Sequence, residues 1–473
     1  MAMDSRVDRL SVSTLRRVPQ DILVPGYRRE AVSIGVVHLG LGNFHRAHQA
    51  VYFEKLLNLG DLRWGISAVS LKRAVTRDAL QAQDFLYSVL TRSAHPTEVQ
   101  VIGAIKECLV APENPAAVIE RLAHVNTKII SLTVTEKGYL EKGDASALGY
   151  LLKALELRRQ LQRPVTILCC DNLSSNGERL HRQLVQEAQL TRPLLSQWIV
   201  QCVACPDTMV DRIVPATLYS ERDEARSRLG LVDAWPVAAE PFSQWVIEKR
   251  FAAEVPDFES VGVQVVASCA PYEAMKLRLL NAAHSALAYF GAPAGFKTVD
   301  QVLASPLIQA YLRRLWSEAA ATLPGAQQKE VASYVAALET RFANPALAHR
   351  LAQIAMDGSL KVPVRLLATL RDCCARDLPS DAIELALAAW IRWLGGVDEA
   401  GQPYELVDPM RDELLRLVPA TASRREKVQA LLQFQPVFGS DLSLNESLAE
   451  RLVSGLERLD RLGSLRALAH LAA

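Results

Sequence analysis

The first half of the chain alternates between short apolar runs and helical stretches, and this alternation constrains its fold more than any other feature. Apolar runs of strand length, rich in Val and Ile, predict buried strands, and they lie at Val32–Leu39, Trp64–Leu71, Val99–Ile105, Ile129–Val134 and Val165–Cys169. Helical patterns separate them, notably at Pro115–Leu122 and Ala147–Gln160. Such an alternation indicates a doubly wound sheet with parallel strands.

From about Thr217 onward the sequence changes character. Segments become longer, mostly helical and rich in Ala, Leu and Arg, as in Gln309–Ala321 and Ser380–Leu394. With 473 residues, 50% of them apolar, the chain can bury more than one large core. We predict an N-terminal leader, an α/β Rossmann-type dinucleotide-binding domain and a mainly α-helical substrate and catalytic domain, over 1–30, 31–216 and 217–473 respectively.

Charge and hydropathy exclude several classes of partner. The formal net charge is +1, so there is no electrostatic basis for binding nucleic acid or a membrane surface. The N-terminal twenty residues lack the apolar core of a secretory signal. No apolar run approaches the roughly 18 residues that span a bilayer. We therefore expect a cytoplasmic protein that acts on a small molecule.

The cysteines do not form a metal-binding pattern. The chain has eight, and Cys202 with Cys205 forms one CxxC. No second CxxC or HxxxH is present to complete a four-ligand zinc site. We predict no metal and expect buried free thiols in a reducing compartment.

A shortened glycine motif follows the first predicted strand. Gly40 would allow a tight turn, and Gly42 would let backbone amides approach a pyrophosphate at the start of the next helix. The third glycine of G-x-G-x-x-G is replaced by His45, so a plain strand–turn–helix remains an alternative. Because this is the first βα turn of an alternating sheet, we favour dinucleotide binding. The predicted contacts are Gly40, Gly42, Asn43, Phe44, His45 and Arg46.

The end of the second predicted strand bears on the choice of cofactor. An acid there would hold the 2′-hydroxyl of NAD, whereas a basic residue favours the 2′-phosphate of NADP. Lys72 and Arg73 stand at this place, and the first acid is Asp78. We therefore predict NAD or NADP as the cofactor and slightly favour NADP. The alternative is that both cations are solvated loop charges with no part in the choice of cofactor.

Three polar residues of the stretch Tyr272–Gly291 form the candidate catalytic group. On an α-helix at about 100° per residue, Asn281 lies about 140° around from Lys276, and His284 lies about 80° around. All three can face one cleft, where the amine takes a hydroxyl proton, the amide steadies the oxyanion and the imidazole orients the substrate. The alternative is a surface lysine, a solvated asparagine and a core histidine.

Six motifs together resemble one family, the polyol-specific long-chain dehydrogenases that include mannitol dehydrogenase and fructuronate reductase. They are HLGLGNFHRAHQA (38–50), SLTVTEKGY (131–139), CDNLSSNG (170–177), MVDRIVP (209–215), EPFSQWVIE (240–248) and the stretch from Lys276 to His284. The resemblance covers nearly the whole chain. It implies a Rossmann-type domain, a mainly helical domain, an active site between them, and chemistry without zinc.

The resemblance also implies roles for individual residues. Lys276 would be the general base, Asn172 and Asn281 the oxyanion hole, and His284 the residue that binds the reacting oxygen. Glu136 would assist proton passage, while Asp211 and Arg212 would lie near the substrate or support the site. A lysine has an ordinary pKa near 10.4, so Lys276 would need a dry cleft and a nearby nicotinamide to act as a base at neutral pH.

The substrate is the least constrained part of the prediction. The sequence looks more like the uronate-reducing branch than the mannitol branch, and Lys137 is a reasonable partner for a substrate carboxylate. Arg278 would point to nearly the opposite helix face from Lys276, and Lys361 is a further candidate cation. We favour fructuronate and mannonate over mannitol or arabinitol. The alternative from another class is a nucleotide-binding sensor without activity; a monomer is plausible.

Overall fold

The computed structural model describes residues 8–93, 96–134, 143–324 and 328–471, without the side chains of residues 328 and 329. The chain forms two compact units, Met1–Ala270 and Pro271–Ala473. Each unit is described by itself below.

The first unit contains the strands of the structure. In chain order they are β1 (Ile34–Leu39), β2 (Gly65–Ser70), β3 (Tyr87–Thr91), β4 (Glu98–Ile102), β5 (Ile105–Val110), β6 (Ile129–Leu132), β7 (Val165–Cys169), β8 (Val203–Ala204), β9 (Thr208–Asp211), β10 (Val237–Ala239), β11 (Gln244–Glu248) and β12 (Gln264–Val266). The α-helices before residue 270 are α1 (Asn43–Ala47), α2 (Gln49–Asn58), α3 (Val75–Gln81), α4 (Pro115–Ala123), α5 (Ala147–Gln160), α6 (Asn176–Thr191), α7 (Pro193–Cys202) and α8 (Tyr219–Leu229).

Six of these strands form the central sheet, in the order β5-β2-β1-β6-β7-β8. Every pair in it is parallel. The strand order runs outward from β1 in both directions, which is the order of the Rossmann fold and leaves a switch point between β1 and β6. Adjacent residues Val36 and Val37 of β1 pack into different apolar cores, so both faces of the sheet are covered. The predicted doubly wound parallel sheet is confirmed.

The apolar run predicted as one strand at Val99–Ile105 contains most of β4 and the first residue of β5, and these two strands lie in different sheets. β4 pairs antiparallel with β3, whereas β5 joins the central sheet beside β2. The chain changes sheet at Gly103, where a Cβ atom would approach the Pro25 ring to 2.8 Å. Hydropathy alone cannot show such a change, because the residues on both sides of it, Ile102, Ala104 and Ile105, are buried.

The first unit is larger than the domain predicted over 31–216. Among the residues predicted as a leader, Leu10 and Ile22 are buried, and the Leu10 amide donates to the Val232 carbonyl at 2.9 Å. Beyond residue 216, β10 pairs with β3 and β11 pairs with β9. Contacts therefore place 8–30 and 217–270 with the Rossmann-type sheet, and the boundary falls after Ala270.

The second unit is mainly helical, as predicted. Its α-helices, the first of which begins at the boundary, are α9 (Ala270–Met275), α10 (Ala282–Gly291), α11 (Val299–Leu303), α12 (Pro306–Ala321), α13 (Gln328–Phe342), α14 (Leu351–Ala355), α15 (Gly358–Val362), α16 (Ala368–Ala375), α17 (Asp381–Trp393), α18 (Arg411–Leu417), α19 (Arg424–Leu432), α20 (Gln435–Phe438), α21 (Glu446–Leu462) and α22 (Ser464–Ala467). Every residue of α10 is buried, so this helix lies at the centre of the unit.

Two segments of the second unit are π-helical. The segment π1 (Lys276–Asn281) joins α9 to α10, and π2 (Pro363–Leu367) joins α15 to α16. A proline at the start of π2 removes one backbone donor and so disfavours regular α-helix there. Short π segments inside helices are rare and occur frequently at functional sites.

Candidate functional site

A cavity of about 640 Å³ in the first unit lies beside the ends of β1, β2 and β6. This is the switch point of the sheet, where open α/β sheets bind their ligands. The lining residues are Gly40, Leu41, Gly42, Ser70, Leu71, Lys72, Arg73, Val75, Thr76, Thr133, Val134, Ala147 and Trp235. The predicted residues Gly40, Gly42, Lys72 and Arg73 are thus brought together. Trp235 was missed, since it lies beyond the predicted domain and no motif marks it.

Glycine is suited to the two positions of the turn for different structural reasons. Gly40 has a φ of +107°, and a Cβ atom there would also lie 3.1 Å from the Thr133 Oγ1 atom. A Cβ atom on Gly42 would meet nothing within 4 Å, so the space over this backbone is open. An open space over a glycine-rich turn fits a pyrophosphate approaching the backbone. The cavity therefore fits a dinucleotide.

The rest of the predicted cofactor-binding segment does not line the cavity. His45 and Arg46 are 0% and 1% exposed, so they have no surface with which to contact a ligand there. The Arg46 guanidinium donates to Asn43 Oδ1 at 2.7 Å and to the Trp235 carbonyl at 2.5 Å. Phe44 stacks on the ring of His48. Burial of His45 and Arg46 gives no support to a direct contact with the cofactor, which stays a prediction for both residues.

Lys72 and Arg73 are exposed at the cavity, after the end of β2. The Ser70 hydroxyl donates to the Arg73 carbonyl at 2.5 Å, which closes the loop. Asp78 faces away into an ion pair with Arg77, whose guanidinium also makes two bonds of 2.9 Å to Glu113. Among the described residues that line the cavity, there are two cations and no carboxylate.

Asn172 lies in the loop between β7 and α6, and its side chain is exposed. The neighbouring Asn176 anchors this loop, because its buried carboxamide donates to the carbonyls of Cys169 and Thr208 at 2.9 and 3.0 Å. Gly177 packs so closely that a Cβ atom would lie 2.3 Å from the Pro206 carbonyl oxygen. The motif at 170–177 therefore fixes where the Asn172 loop leaves the sheet. Sequence reasoning overlooked Asn176, although its place beside a glycine was a usable signal.

Asp211 and Arg212 lie at and just after the end of β9. Asp211 is 2% exposed and pairs with Gln244 in the small sheet. Arg212 donates to the carbonyls of Glu240 and Ala47, and burial lowers the pKa of its guanidinium. These contacts brace the end of α1. A direct contact with substrate stays a prediction for both residues.

Lys276 and Asn281 are the first and last residues of π1. The backbone amide of Ala282 bonds to the Leu277 carbonyl, five residues back. Because this wider turn rotates less per residue than an α-helix, the angle between Lys276 and Asn281 is smaller than the predicted 140°. The side chains are largely buried, with residue exposures of 9% and 6%. The local geometry thus differs from the prediction in a direction that brings the amine and the carboxamide closer to one face.

His284 lies on α10, one turn after π1, and is kept uncharged. Its pKa is well below the ordinary value, first through burial and then through the positive charges of Arg365, Arg341 and Lys361 and the nearby His349. The His349 ring stands edge-on to it at 5.2 Å, and burial lowers the pKa of His349 to about 4. His349 was missed, because no spacing in the sequence relates it to His284.

Two cations on the segment around π2 lie near His284. Lys361 donates to the Ile354 carbonyl at 3.1 Å, and Arg365 donates to Ser285 Oγ at 3.2 Å and to the Asn281 carbonyl at 3.4 Å. Arg365 therefore links π2 to π1. Arg278 instead pairs with Asp372 at 2.6 Å, so it is engaged elsewhere, as its position on the helix predicted.

Some predictions lie outside what the structure describes. Glu136 and Lys137 belong to the segment 135–142, which is not described. Within the described ranges, no group of three or more His, Cys, Asp or Glu side chains could hold a metal ion. In the same ranges, no helix has both the length and the apolar character to cross a membrane.

The fold and the cavity define a protein of the Rossmann class, and comparison with known proteins specifies the family. Two family models match: the mannitol dehydrogenase Rossmann domain over residues 34–260 and the mannitol dehydrogenase C-terminal domain over residues 268–460. Mannitol 2-dehydrogenase of Aspergillus fumigatus is 36% identical over 94% of this chain and 95% of its own length.

Two solved structures are also similar. The mannitol 2-dehydrogenase of Pseudomonas fluorescens, in a ternary complex with NAD and D-mannitol, has a TM-score of 0.91 and 33% identity, and the match covers 98% of this chain and 99% of that one. A substrate-free D-sorbitol dehydrogenase has a TM-score of 0.85 and 28% identity, and the match covers 97% of this chain and 100% of that one. The chain belongs to the mannitol dehydrogenase family, which confirms the resemblance seen in the sequence.

Proposed function

We propose that this protein is an NAD(P)-dependent dehydrogenase that interconverts a secondary alcohol and a ketone on an uncharged, open-chain alditol. The observation that carries this proposal is the buried pair of Lys276 and Asn281 on one π turn beside a neutral His284. The names of the similar proteins, two mannitol 2-dehydrogenases and a D-sorbitol dehydrogenase, support a neutral alditol. They favour the mannitol alternative over the fructuronate and mannonate pair that the sequence suggested.

In the proposed mechanism, Lys276 Nζ accepts the hydroxyl proton of the substrate while the carbon–oxygen bond becomes a carbonyl. The cavity residues, Gly40 and Gly42 among them, would hold a nicotinamide dinucleotide, which when bound would supply the hydride acceptor for this direction and the hydride donor for the reverse one. Asn281 and Asn172 donate hydrogen bonds to the oxygen as its charge develops. Neutral His284 orients the same oxygen, and Glu136 passes the proton from Lys276 onward. The proposed substrate-contacting residues are Asp211, Arg212, Lys137 and Lys361.

A second candidate is a substrate with a carboxylate, of the mannonate and fructuronate kind. The observation that favours it is the set of cations that lower the pKa of His284, namely Lys361, Arg365 and Arg341. A positive neighbourhood of this sort suits an anionic substrate. It equally serves to keep His284 neutral, and for this reason the neutral alditol remains the first proposal.

A substrate panel decides between these candidates. Purified protein is mixed with NAD⁺ or NADP⁺ and with mannitol, sorbitol, arabinitol or mannonate, and cofactor reduction is followed by absorbance. We expect turnover with a neutral alditol to exceed turnover with mannonate. Faster turnover of mannonate would favour the second candidate. Tight cofactor binding without turnover of any compound would instead favour a nucleotide sensor.

We further propose that Lys72 and Arg73 bind the 2′-phosphate of NADP(H). Support comes from the two cations at the cavity and the absence of a carboxylate among its described lining residues. Because a charge-assisted bond contributes about 1.5–3 kcal/mol, Arg73→Glu should weaken NADPH binding at least about tenfold and leave NADH binding nearly unchanged. Lys249→Glu, an exposed site that does not line the cavity, is the matched control. Equal losses for both cofactors would contradict the assignment.

A further inference from the structure

His45, which replaces the third glycine of the dinucleotide motif, lies flat against His38 of β1. The two ring centroids are 3.4 Å apart, the planes differ by 9°, and both side chains are fully buried. In the usual motif the third glycine lets the helix pack closely on the strand. Here two parallel rings occupy this space between β1 and α1.

The ring of His38 is bonded to the turn that lines the cavity. Its Nε2 atom lies 2.9 Å from both the Gly40 carbonyl oxygen and Thr133 Oγ1, and its Nδ1 atom lies 2.8 Å from Ser131 Oγ. Since a carbonyl only accepts, Nε2 carries the proton and Nδ1 accepts from the serine. The Gly40 carbonyl also receives bonds from Thr133 Oγ1 at 3.0 Å and from the Gly42 amide at 2.8 Å. Three donors therefore fix the direction of this carbonyl.

That direction matters for an anionic ligand. A carbonyl oxygen turned toward the cavity would present a negative dipole end to a pyrophosphate, whereas one held by three internal donors does not. Both rings also stay uncharged, because burial lowers the pKa of His38 to about 3 and that of His45 well below its ordinary value. Uncharged rings can stay stacked at this spacing without repulsion.

We propose that His45 is a positioning residue for the dinucleotide, acting through His38 on the Gly40 carbonyl. The inference rests on the proposed binding of NAD(P) in this cavity. It explains why a histidine occupies the position of the third glycine of the motif. A smaller residue at 45 leaves the His38 ring without its stacking partner, so the ring can tilt and release the Gly40 carbonyl. The effect should fall on cofactor affinity and not on the chemical step.

The experiment measures NADH and NADPH dissociation constants by fluorescence for His45→Ala, His45→Phe and Thr133→Val. We expect His45→Ala and Thr133→Val to weaken both cofactors about tenfold, which corresponds to the loss of a hydrogen bond. For His45→Ala, whose side chain does not line the cavity, the rate at saturating cofactor should stay within about twofold, so that KM for cofactor rises while kcat does not. His45→Phe keeps a flat ring and should recover most of the affinity.

A matched control separates positioning from stability. Leu229→Ala removes a fully buried side chain of a different core cluster in the same unit, and should destabilise the unit without reaching the turn. If Leu229→Ala and His45→Ala weaken cofactor equally at equal loss of unfolding midpoint, His45 is only structural and the proposal is overturned. Unchanged affinity in Thr133→Val also overturns it, and this variant decides if His45→Ala does not fold. A wild-type protein that binds neither cofactor refutes the proposed function instead.

Discussion

Replacing Lys276 with methionine is expected to lower kcat by about 10³-fold, within the range that a positioned general base contributes. Methionine nearly matches the length of the lysine side chain, and the site is 9% exposed, so the fold should tolerate the change. Cofactor affinity should be unchanged, because the cavity is lined by residues of the first unit. The measurement is a steady-state rate at saturating alditol and cofactor, together with cofactor binding by fluorescence.

The control for this prediction is Lys297→Met, which removes an exposed lysine from the same unit. The Lys297 backbone amide bonds to Gln301 Oε1 at 3.0 Å, and the substitution leaves that bond intact. The control should keep wild-type activity. If Lys276→Met retains more than about a tenth of the rate, a group other than this amine accepts the proton.

The first unit could be predicted from the sequence because its signals are local. The strand runs ending at Leu39 and Cys169 are short, apolar and bounded by helical patterns, and the structure has strands that end at the same residues. The turn after β1 was likewise predicted, from Gly40 in the sequence. The structure shows why glycine is needed there, because φ is positive and Thr133 lies close to the position of a Cβ atom. The pairing of strands that are far apart in the sequence could not be predicted. The parallel pairing of β10 with β3 joins segments about 150 residues apart, and no periodicity records it.

The candidate catalytic residues were predicted, but the geometry that holds them was not. The stretch from Tyr272 has an ordinary helical pattern, with nothing to mark six residues of π-helix at Lys276–Asn281. The Arg365 bond to the Asn281 carbonyl at the end of this segment joins residues 84 apart in the chain, and no local pattern records such a contact. Similarly, motif reading predicted His45 and Arg46 as cofactor contacts, and no local pattern indicates that both side chains are buried.

Changing Asn281 to aspartate is expected to lower kcat by about 10²–10³-fold, which is the cost of removing one oxyanion donor. The substitution keeps the shape of the side chain but replaces the N–H donors with a carboxylate that repels the developing oxyanion. The Arg365 bond to residue 281 involves the backbone carbonyl and should persist. A carboxylate one π turn from Lys276 also favours the protonated amine and raises its pKa, so the remaining activity should shift to higher pH.

Asn445→Asp is the control, because Asn445 caps α21 by accepting from the Leu448 amide and aspartate caps equally well. Full pH–rate profiles of both variants test the prediction, and an unshifted profile with less than a tenfold loss for Asn281→Asp would remove this carboxamide from the mechanism.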